Sequence, residues 1–323
     1  MISKPDFKEI EAVGEYLQEV PYDVTRATLY TASDLYDAYD ASDAQASMQR
    51  CYDARVYKHY IDTGKFTSCA KEKLARTLHD HYIEVALDRF VAERDVMRIV
   101  GVMGGHGALR SDEMYAKVAA LSKRLTEMGY TMVSGGGPGA MEATHLGAWM
   151  AGRSDADLAD ALAMLQCAPR FSDPDWLKSA MAVRERYPHH TYQSLGVPTW
   201  LYGHEPATPF ATHIAKLFQN SIREDGILTI AMGGIVYSPG SAGTVQEIFQ
   251  DAVQNHYLSL KVSSPMIFLG KQFWSEEMPF YPMLEYLTAT SKYRNLDLSL
   301  TDEIADVVAH LEDFQRRRQE LQP

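Results

Sequence analysis

The spacing of hydrophobic residues along the chain changes near residue 95. Before that point it follows the helical period, most clearly over residues 70–94. The apolar face of this predicted helix is formed by Leu74, Leu78, Tyr82, Val85, Ala86 and Phe90. We therefore expect residues 1–95 to form a helical N-terminal extension, whose many tyrosines either bridge core and water or line a ligand pocket or an oligomer interface.

After residue 95, short apolar runs alternate with amphipathic segments. The apolar runs predict strands at residues 97–103, 130–134, 197–202, 235–238 and 265–269. The amphipathic segments predict helices at residues 112–128, 140–151, 210–224 and 301–319. Strands that alternate with helices form a parallel sheet with helices on both faces. We therefore expect a Rossmann-like α/β domain over residues 96–323.

Two segments of this domain depart from simple alternation. Residues 153–196 are mostly polar with helical spacing, and they predict a helical insertion beside the sheet. Residues 227–231 are rich in β-branched side chains and fit either a strand or the end of a helix. A strand there would pair with residues 235–238 as a hairpin, so a helix that ends at Gly233 suits a parallel sheet better.

The composition narrows the classes of function. Of 323 residues, 46% are hydrophobic and 23% are charged, as in soluble globular proteins. The net charge of −12 argues against binding to a nucleic acid polymer. The sequence has no apolar segment typical of a signal peptide or a membrane span. The three cysteines are scattered and show no spacing typical of a disulfide framework or a zinc site, so we expect a cytoplasmic protein. His204-Glu205 lacks the spacing of a zincin site, and we expect no metal or other cofactor.

The strongest chemical signal is the stretch Pro239-Gly240-Ser241-Ala242-Gly243-Thr244-Val245-Gln246-Glu247. It follows a predicted strand and begins a predicted helix, an arrangement that directs backbone N–H groups and a helix N-terminus at an anion. Glu247 lies about one turn inside that helix and reaches the same place. The stretch therefore predicts a phosphate site with a carboxylate beside it.

Two further glycine loops follow the first two predicted strands. Gly104-Gly105-His106-Gly107 follows the first strand, and its Gly104 and His106 are candidate ligand contacts. Gly135-Gly136-Gly137-Pro138-Gly139-Ala140-Met141 follows the second and satisfies the permissive dinucleotide fingerprint G-x-G-x-x-A. That fingerprint belongs after the first strand of its unit, so a dehydrogenase is not favoured. Close packing of a helix on the sheet is the alternative explanation for the glycines of either loop alone.

The Gly135 and Pro239 loops together resemble the paired signatures of the LOG family, GGGxxGxM and PGGxGTxxE. This family is named after the plant cytokinin-activating LONELY GUY enzymes and is often mislabelled as lysine decarboxylase. The resemblance covers roughly residues 99–269. It implies a Rossmann-like fold, usually dimeric, that hydrolyses the N-glycosidic bond of a nucleoside 5′-monophosphate to free base and ribose 5-phosphate. The decarboxylase label fails chemically, because neither loop has a lysine to hold pyridoxal phosphate.

The resemblance also implies roles for single residues. Glu247 would be catalytic together with an arginine near the start of the preceding helix, and Arg223 has nearly the matching separation from Pro239. Ligand binding is implied for Gly136, Gly137, Gly139, Met141, Gly240, Ser241, Ala242, Gly243 and Thr244. Ser241 stands where the family has glycine, so the turn must differ locally if that position needs a left-handed backbone. Gln246 stands where another glutamate is common.

The chemistry of glycoside cleavage suits these residues. The reaction passes through an oxocarbenium-like sugar, which Glu247 would stabilise by charge while it orients or deprotonates the attacking water. Arg223 would clamp phosphate or neutralise a developing charge, unless it only pairs with Glu224 or Asp225 at the surface. We expect a homodimeric or larger phosphoribohydrolase that acts on AMP or an N6-modified AMP. The alternative is a nucleotide-binding or sensing protein that uses the same phosphate site without turnover.

Overall fold

A seven-stranded parallel sheet forms the centre of the computed structural model, which describes residues 7–189 and 191–320. The strands are β1 (Ile99–Met103), β2 (Thr131–Ser134), β3 (Ser194–Gly196), β4 (His213–Ile214), β5 (Gly234–Tyr237), β6 (Pro265–Leu269) and β7 (Asp297–Thr301). Their order across the sheet is β4-β3-β2-β1-β5-β6-β7. The predicted Rossmann-like α/β fold is therefore confirmed.

Helices precede the sheet and connect its strands. Those of the N-terminal extension are α1 (Phe7–Glu19), α2 (Ala32–Leu35), α3 (Ala44–Met48), α4 (Tyr52–Asp62) and α5 (Ala70–Ala92). Those after β1 are α6 (Glu113–Glu127), α7 (Ala140–Met150), α8 (Asp155–Leu165), α9 (Trp176–Arg186), α10 (Asn220–Ile230), α11 (Ala242–Tyr257), α12 (Phe280–Ala289) and α13 (Ile304–Glu320). Within the described ranges, no helix is long and apolar enough to cross a membrane.

Both faces of the sheet are buried. Side chains alternate along each strand, so Ile99 and Met103 of β1 belong to one hydrophobic cluster, whereas Val100 and Val102 belong to the other. The first cluster includes side chains from the N-terminal extension, α10 and α11. The second includes side chains from α6, α7, α8 and α13. Helices therefore cover both faces, as a parallel sheet requires.

The N-terminal extension is bonded to one edge of the sheet. Tyr30 N donates to Ile214 O at 2.8 Å and Ile214 N donates to Tyr30 O at 2.7 Å. These hydrogen bonds cover the otherwise open edge of β4, and open edges favour pairing with other chains. The extension is thus continuous with the sheet through backbone hydrogen bonds as well as through the hydrophobic cluster.

The buried face of α5 differs from the predicted one. Ala86 and Phe90 are buried as expected, but Leu74 is 41% exposed. The buried face of α5 instead includes the polar side chains of Glu72, Arg76, His79 and Asp80. Arg76 Nε donates to Glu72 Oε1 at 2.6 Å, and His79 Nδ1 lies 3.0 Å from Asp80 Oδ1. Burial of this polar face is possible because its groups bond to each other.

Elsewhere the element assignments need three corrections. The third strand is Ser194–Gly196, at the end of the segment predicted as a helical insertion, whereas residues 200–202 form a 3-10 turn. Residues 210–219 are not helical, because residues 210–211 and 214–218 are buried without the exposed face of a surface helix, and the segment contains the two-residue strand β4. β7 and α12 were not predicted. The preference for helix at residues 227–231 is confirmed, since α10 continues to Ile230.

Candidate functional site

A cleft of about 910 Å³ opens at the carboxyl ends of the central strands. The chain leaves β1 toward β2 on one side and later returns to β5 on the other side, so the cleft lies where the strand order reverses. Open α/β sheets bind ligands at such a point. Among the residues singled out in the sequence, the cleft is lined by Gly104, His106, Gly137, Met141, Arg223, Ser241, Gly243, Thr244 and Glu247.

Four predicted ligand contacts do not line this cleft: Gly136, Gly139, Gly240 and Ala242. The first two have left-handed backbones, with φ of 68° and 71°. A Cβ on Gly139 would lie 2.4 Å from Gly105 O, and one on Gly240 would lie 2.2 Å from Thr244 Oγ1. Ala242 is the exposed first residue of α11. The three glycines therefore shape the loops by allowing close approach rather than by facing the cleft.

The three glycine loops form one continuous surface. Gly105 N donates to Pro239 O at 3.0 Å, and Ala140 N donates to Gly105 O at 3.2 Å. The loop after β1 thus lies between the loops after β5 and β2. A ligand that enters the cleft meets all three loops together.

The turn before α11 accommodates serine without strain. Ser241 is the N-cap residue, with φ −113° and ψ −145°, so this position does not need a left-handed backbone. The Ser241 side chain makes no capping hydrogen bond. The first N–H groups of a helix have no partner within it, so those of α11 are available to an anion in the cleft. The serine in place of the family's glycine therefore has no backbone cost.

Arg223 and Glu247 meet inside the cleft. Arg223 Nη2 lies 3.6 Å from Glu247 Oε1, and the two side chains are only 13% and 7% exposed. Arg223 Nη1 donates to Asn220 Oδ1 at 3.1 Å, while its buried Nε has no partner among the described residues. Burial raises the pKa of Glu247 to about 7, although Arg223 lowers it and Glu224 adds to the increase. A carboxylate with this pKa exchanges a proton near neutral pH.

The surface ion pair considered for Arg223 is not formed. Glu224 Oε1 accepts from Asn220 Nδ2 and Glu224 Oε2 accepts from Gln246 Nε2, each at 2.6 Å. Asp225 Oδ1 accepts from Gln250 Nε2 at 2.9 Å. Gln246 thereby links α11 to α10 by donating a hydrogen bond to Glu224. A glutamate in its place has no donor and would repel the Glu224 carboxylate.

The start of α10 is held by the N-terminal extension. Phe218 N donates to Asp80 Oδ1 and Gln219 N donates to Asp80 Oδ2, both at 2.9 Å. These are the last two residues before α10, and Arg223 lies one turn further along. Asp80 of α5 therefore fixes the helix end that carries Arg223.

Sequence reasoning missed part of the cleft wall. Pro198, Thr199, Tyr202 and Glu205 also line the cleft. The apolar pattern predicts a strand over residues 197–202 and gives Glu205 no role. Because the third strand ends at Gly196, these residues follow a strand directly and so belong to the ligand-binding edge of the sheet. Correct placement of β3 would have identified them.

Comparison with known proteins identifies no family for this chain. No protein-family model matches the sequence, and no curated protein matches it. Similar solved structures include the molybdenum cofactor binding protein of the phototrophic bacterium Rippkaea orientalis, with 15% identity and a TM-score of 0.41 over 67% of this chain and 96% of that chain. The Moco carrier protein of Chlamydomonas has 18% identity and a TM-score of 0.41 over 68% of this chain and 97% of that chain. Similarity this distant carries no argument about the ligand of this protein.

Proposed function

We propose that this protein belongs with the LOG-like phosphoribohydrolases and hydrolyses the N-glycosidic bond of nucleoside 5′-monophosphates, with AMP as the first substrate to try. The observation that carries the proposal is the Arg223–Glu247 pair, which lies beside the uncapped N-terminus of α11 in one cleft. A phosphate suits the helix N-terminus, and cleavage of a glycosidic bond needs a carboxylate near the sugar. Both features face the same space.

In the proposed reaction, the phosphate binds at the first turn of α11, near Ser241 and Thr244. The sugar then lies beside Glu247, whose carboxylate stabilises the positive charge that develops on the ring. The water oxygen bonds to C1′ as the bond from C1′ to the base breaks, and the electron pair of that bond leaves on the base nitrogen. Glu247 takes one proton from the water and returns it to the departing base nitrogen, while the other proton stays on the new C1′ hydroxyl.

Arg223 contributes charge and orientation to this reaction. Its guanidinium is held by Asn220 through Nη1, and Nη2 lies on the side of Glu247. A planar guanidinium binds phosphate or sugar oxygens through a fixed pair of donors. Arg223 also favours the ionised form of Glu247, which is the form that accepts a proton.

We also propose a cytoplasmic homodimer that binds a small nucleotide or sugar phosphate and no nucleic acid polymer. Exposed apolar side chains on α11 and α12 support self-association, namely Tyr257, Met283 and Tyr286. All three cysteines, Cys51, Cys69 and Cys167, are free thiols, as is usual in a reducing compartment. Light scattering on the purified protein measures the oligomeric state, and a monomer at all concentrations would contradict the dimer.

The activity is tested by incubating the purified protein with the common nucleoside monophosphates and measuring free base by chromatography. We expect release of base and ribose 5-phosphate in equal amounts, and loss of release in Glu247→Ala. If no monophosphate releases base and Glu247→Ala behaves like the wild type, the enzyme proposal is wrong. Tight binding of a monophosphate without hydrolysis in calorimetry would instead select the nucleotide-sensing alternative.

A further inference from the structure

A second carboxylate, that of Glu205, lines the cleft and is not used in the proposed hydrolysis. The Glu205 side chain is 15% exposed, and its Oε1 lies 3.4 Å from His106 Nδ1 and 3.7 Å from His204 Nε2. Across residues 7–189 and 191–320, nothing donates a hydrogen bond to this carboxylate. Glu205 N donates to Tyr202 O at 2.8 Å, which fixes the turn that carries it. The Glu205 oxygens are not among the buried unpartnered atoms of the described residues, so they face the open cleft and are free to accept hydrogen bonds from a ligand.

The position of Glu205 relative to Arg223 follows from the loop after β2. A Cβ on Gly135 would lie 2.7 Å from Arg223 Nη2, and a Cβ on Gly137 would lie 3.8 Å from Glu205 Oε2. Both charged groups therefore lie over one glycine loop, Arg223 at its start and Glu205 two residues further on. Glu205 itself belongs to the connection after β3, and its carboxylate reaches His106 of the loop after β1, so it lies over the middle of the sheet edge.

This order across the sheet edge matches the order of groups in a nucleotide. The α11 N-terminus follows β5, Arg223 lies over Gly135 of the loop after β2, and Tyr202 and Glu205 follow β3. A nucleoside 5′-monophosphate presents its phosphate, sugar and base in the same sequence. Tyr202 is 42% exposed at this end, so its ring is available to stack on a base.

We infer that Glu205 recognises the base and gives the site a preference for guanine, an inference that rests on the proposed function. An ionised carboxylate only accepts hydrogen bonds. Guanine presents two adjacent donors, its N1–H and its 2-amino group, which match the two oxygens of Glu205. Adenine presents one amino donor beside the lone pair of N1, which faces a carboxylate unfavourably. Hypoxanthine keeps N1–H and lacks the 2-amino group, so it isolates one of the two bonds.

The test is a change of base preference in Glu205→Gln, whose amide offers one donor and one acceptor and so matches adenine. For the wild type we expect kcat/KM to be higher for GMP than for IMP by about tenfold to one hundredfold, the usual effect of one hydrogen bond to a charged group. In Glu205→Gln the ratio of GMP to AMP should fall at least about tenfold. The matched control is Glu276→Gln, at an exposed glutamate outside the cleft. An unchanged ratio in Glu205→Gln would overturn the inference.

A binding measurement separates this inference from the proposed hydrolysis. Calorimetry with Glu247→Gln, in which turnover is slowed by about one hundred to ten thousand fold, gives Kd values for GMP, AMP and ribose 5-phosphate. We expect GMP to bind more tightly than AMP, and the difference to disappear when Glu205→Gln is added, with ribose 5-phosphate unaffected. Equal Kd values for GMP and AMP, or weaker ribose 5-phosphate binding in the double variant, would overturn the assignment of Glu205 to the base. A GMP preference in binding without base release by the wild type would overturn only the hydrolysis.

Discussion

Arg223 Nη2 lies 3.6 Å from Glu247 Oε1, and the two residues come from separate helices that meet at the cleft. α10, which carries Arg223, begins where Asp80 of α5 accepts hydrogen bonds from Phe218 N and Gln219 N. α11, which carries Glu247, begins directly after the turn that follows β5. The pair therefore depends on packing of the N-terminal extension against the α/β domain as well as on the glycine-rich turn.

Replacing Arg223 by lysine keeps the positive charge and removes the planar pair of donors. We expect kcat/KM for base release to fall by about tenfold to one hundredfold in Arg223→Lys, the effect of one lost hydrogen bond to a charged group, and further in Arg223→Ala. Steady-state kinetics on the purified variants measure this loss. Arg316→Lys, at an arginine side chain that is 72% exposed, serves as the control. Wild-type kinetics in Arg223→Lys would show that the guanidinium has no special role.

The pH dependence of activity should follow the ionisation of Glu247. Burial raises the pKa of this carboxyl to about 7, and only its ionised form accepts a proton from water. We therefore expect kcat/KM to rise as the pH increases through about 7 and to level off above it. In Arg223→Ala the midpoint should move to higher pH, because Arg223 lowers the pKa of Glu247. A rate that falls with increasing pH over this range would contradict a general base at Glu247.

Asp251 makes the stability of the fold depend on pH. This fully buried side chain lies one turn beyond Glu247 on α11 and accepts from Tyr237 OH at 2.6 Å. Burial raises its pKa from 3.8 to about 7, so the folded state holds a proton that the unfolded chain has lost. The stability that this proton confers is fully present below the pKa of Asp251 in the unfolded chain, and it is lost as the pH rises through about 7, the pKa in the folded state.

Asp251→Asn removes this titration. We expect the free energy of unfolding of the wild type to decrease with rising pH between these two pKa values. In the variant, the slope of this decrease should be smaller by up to about 1.4 kcal/mol per pH unit. Urea denaturation of both proteins at several pH values gives the two slopes. Identical slopes would mean that Asp251 does not change its proton occupancy on folding.

The two glycines beside Thr244 should differ in their tolerance of a methyl group. A Cβ on Gly240 would lie 2.2 Å from Thr244 Oγ1 and 3.1 Å from Gly105 N, whereas a Cβ on Gly243 meets nothing within 4 Å. We expect Gly240→Ala to lower the free energy of unfolding by about 1 to 3 kcal/mol through overpacking. Gly243→Ala should leave it unchanged or raise it, since alanine is the better helix former. Denaturant unfolding compares them, and equal effects would contradict the close packing of the turn.

The periodicity of the sequence predicted the fold class because β1, β2, β5 and β6 are continuous apolar runs between glycine-rich turns. It failed where elements are short or buried on all sides. The two residues of β4 cannot show a period, and the buried segment around them has the apolar content of a helix face. On α5, polar residues such as Asp80 are buried because their partners come from distant parts of the chain. Local periodicity does not record such partners.

The candidate site was predicted as far as local motifs reach. The turn before α11 and Glu247 follow from a strand, a glycine-rich loop and a helix in sequence. Arg223 was found through the family resemblance, although the helix that carries it starts ten residues later than predicted, at Asn220. Glu205 was given no role, because its place in the cleft depends on where β3 ends. Residues brought to a site by the topology of the sheet carry no signal of their own in the sequence.

The most direct measurement of the proposed function is the time course of base release from AMP and GMP by the wild type and by Glu247→Gln. Binding of ribose 5-phosphate to both proteins shows that the phosphate site is intact. We expect the wild type to release base, and the variant to be slower by about one hundred to ten thousand fold while it binds ribose 5-phosphate equally well. Equal rates in the two proteins, or no base release by a wild type that binds ribose 5-phosphate, would contradict the proposed hydrolysis.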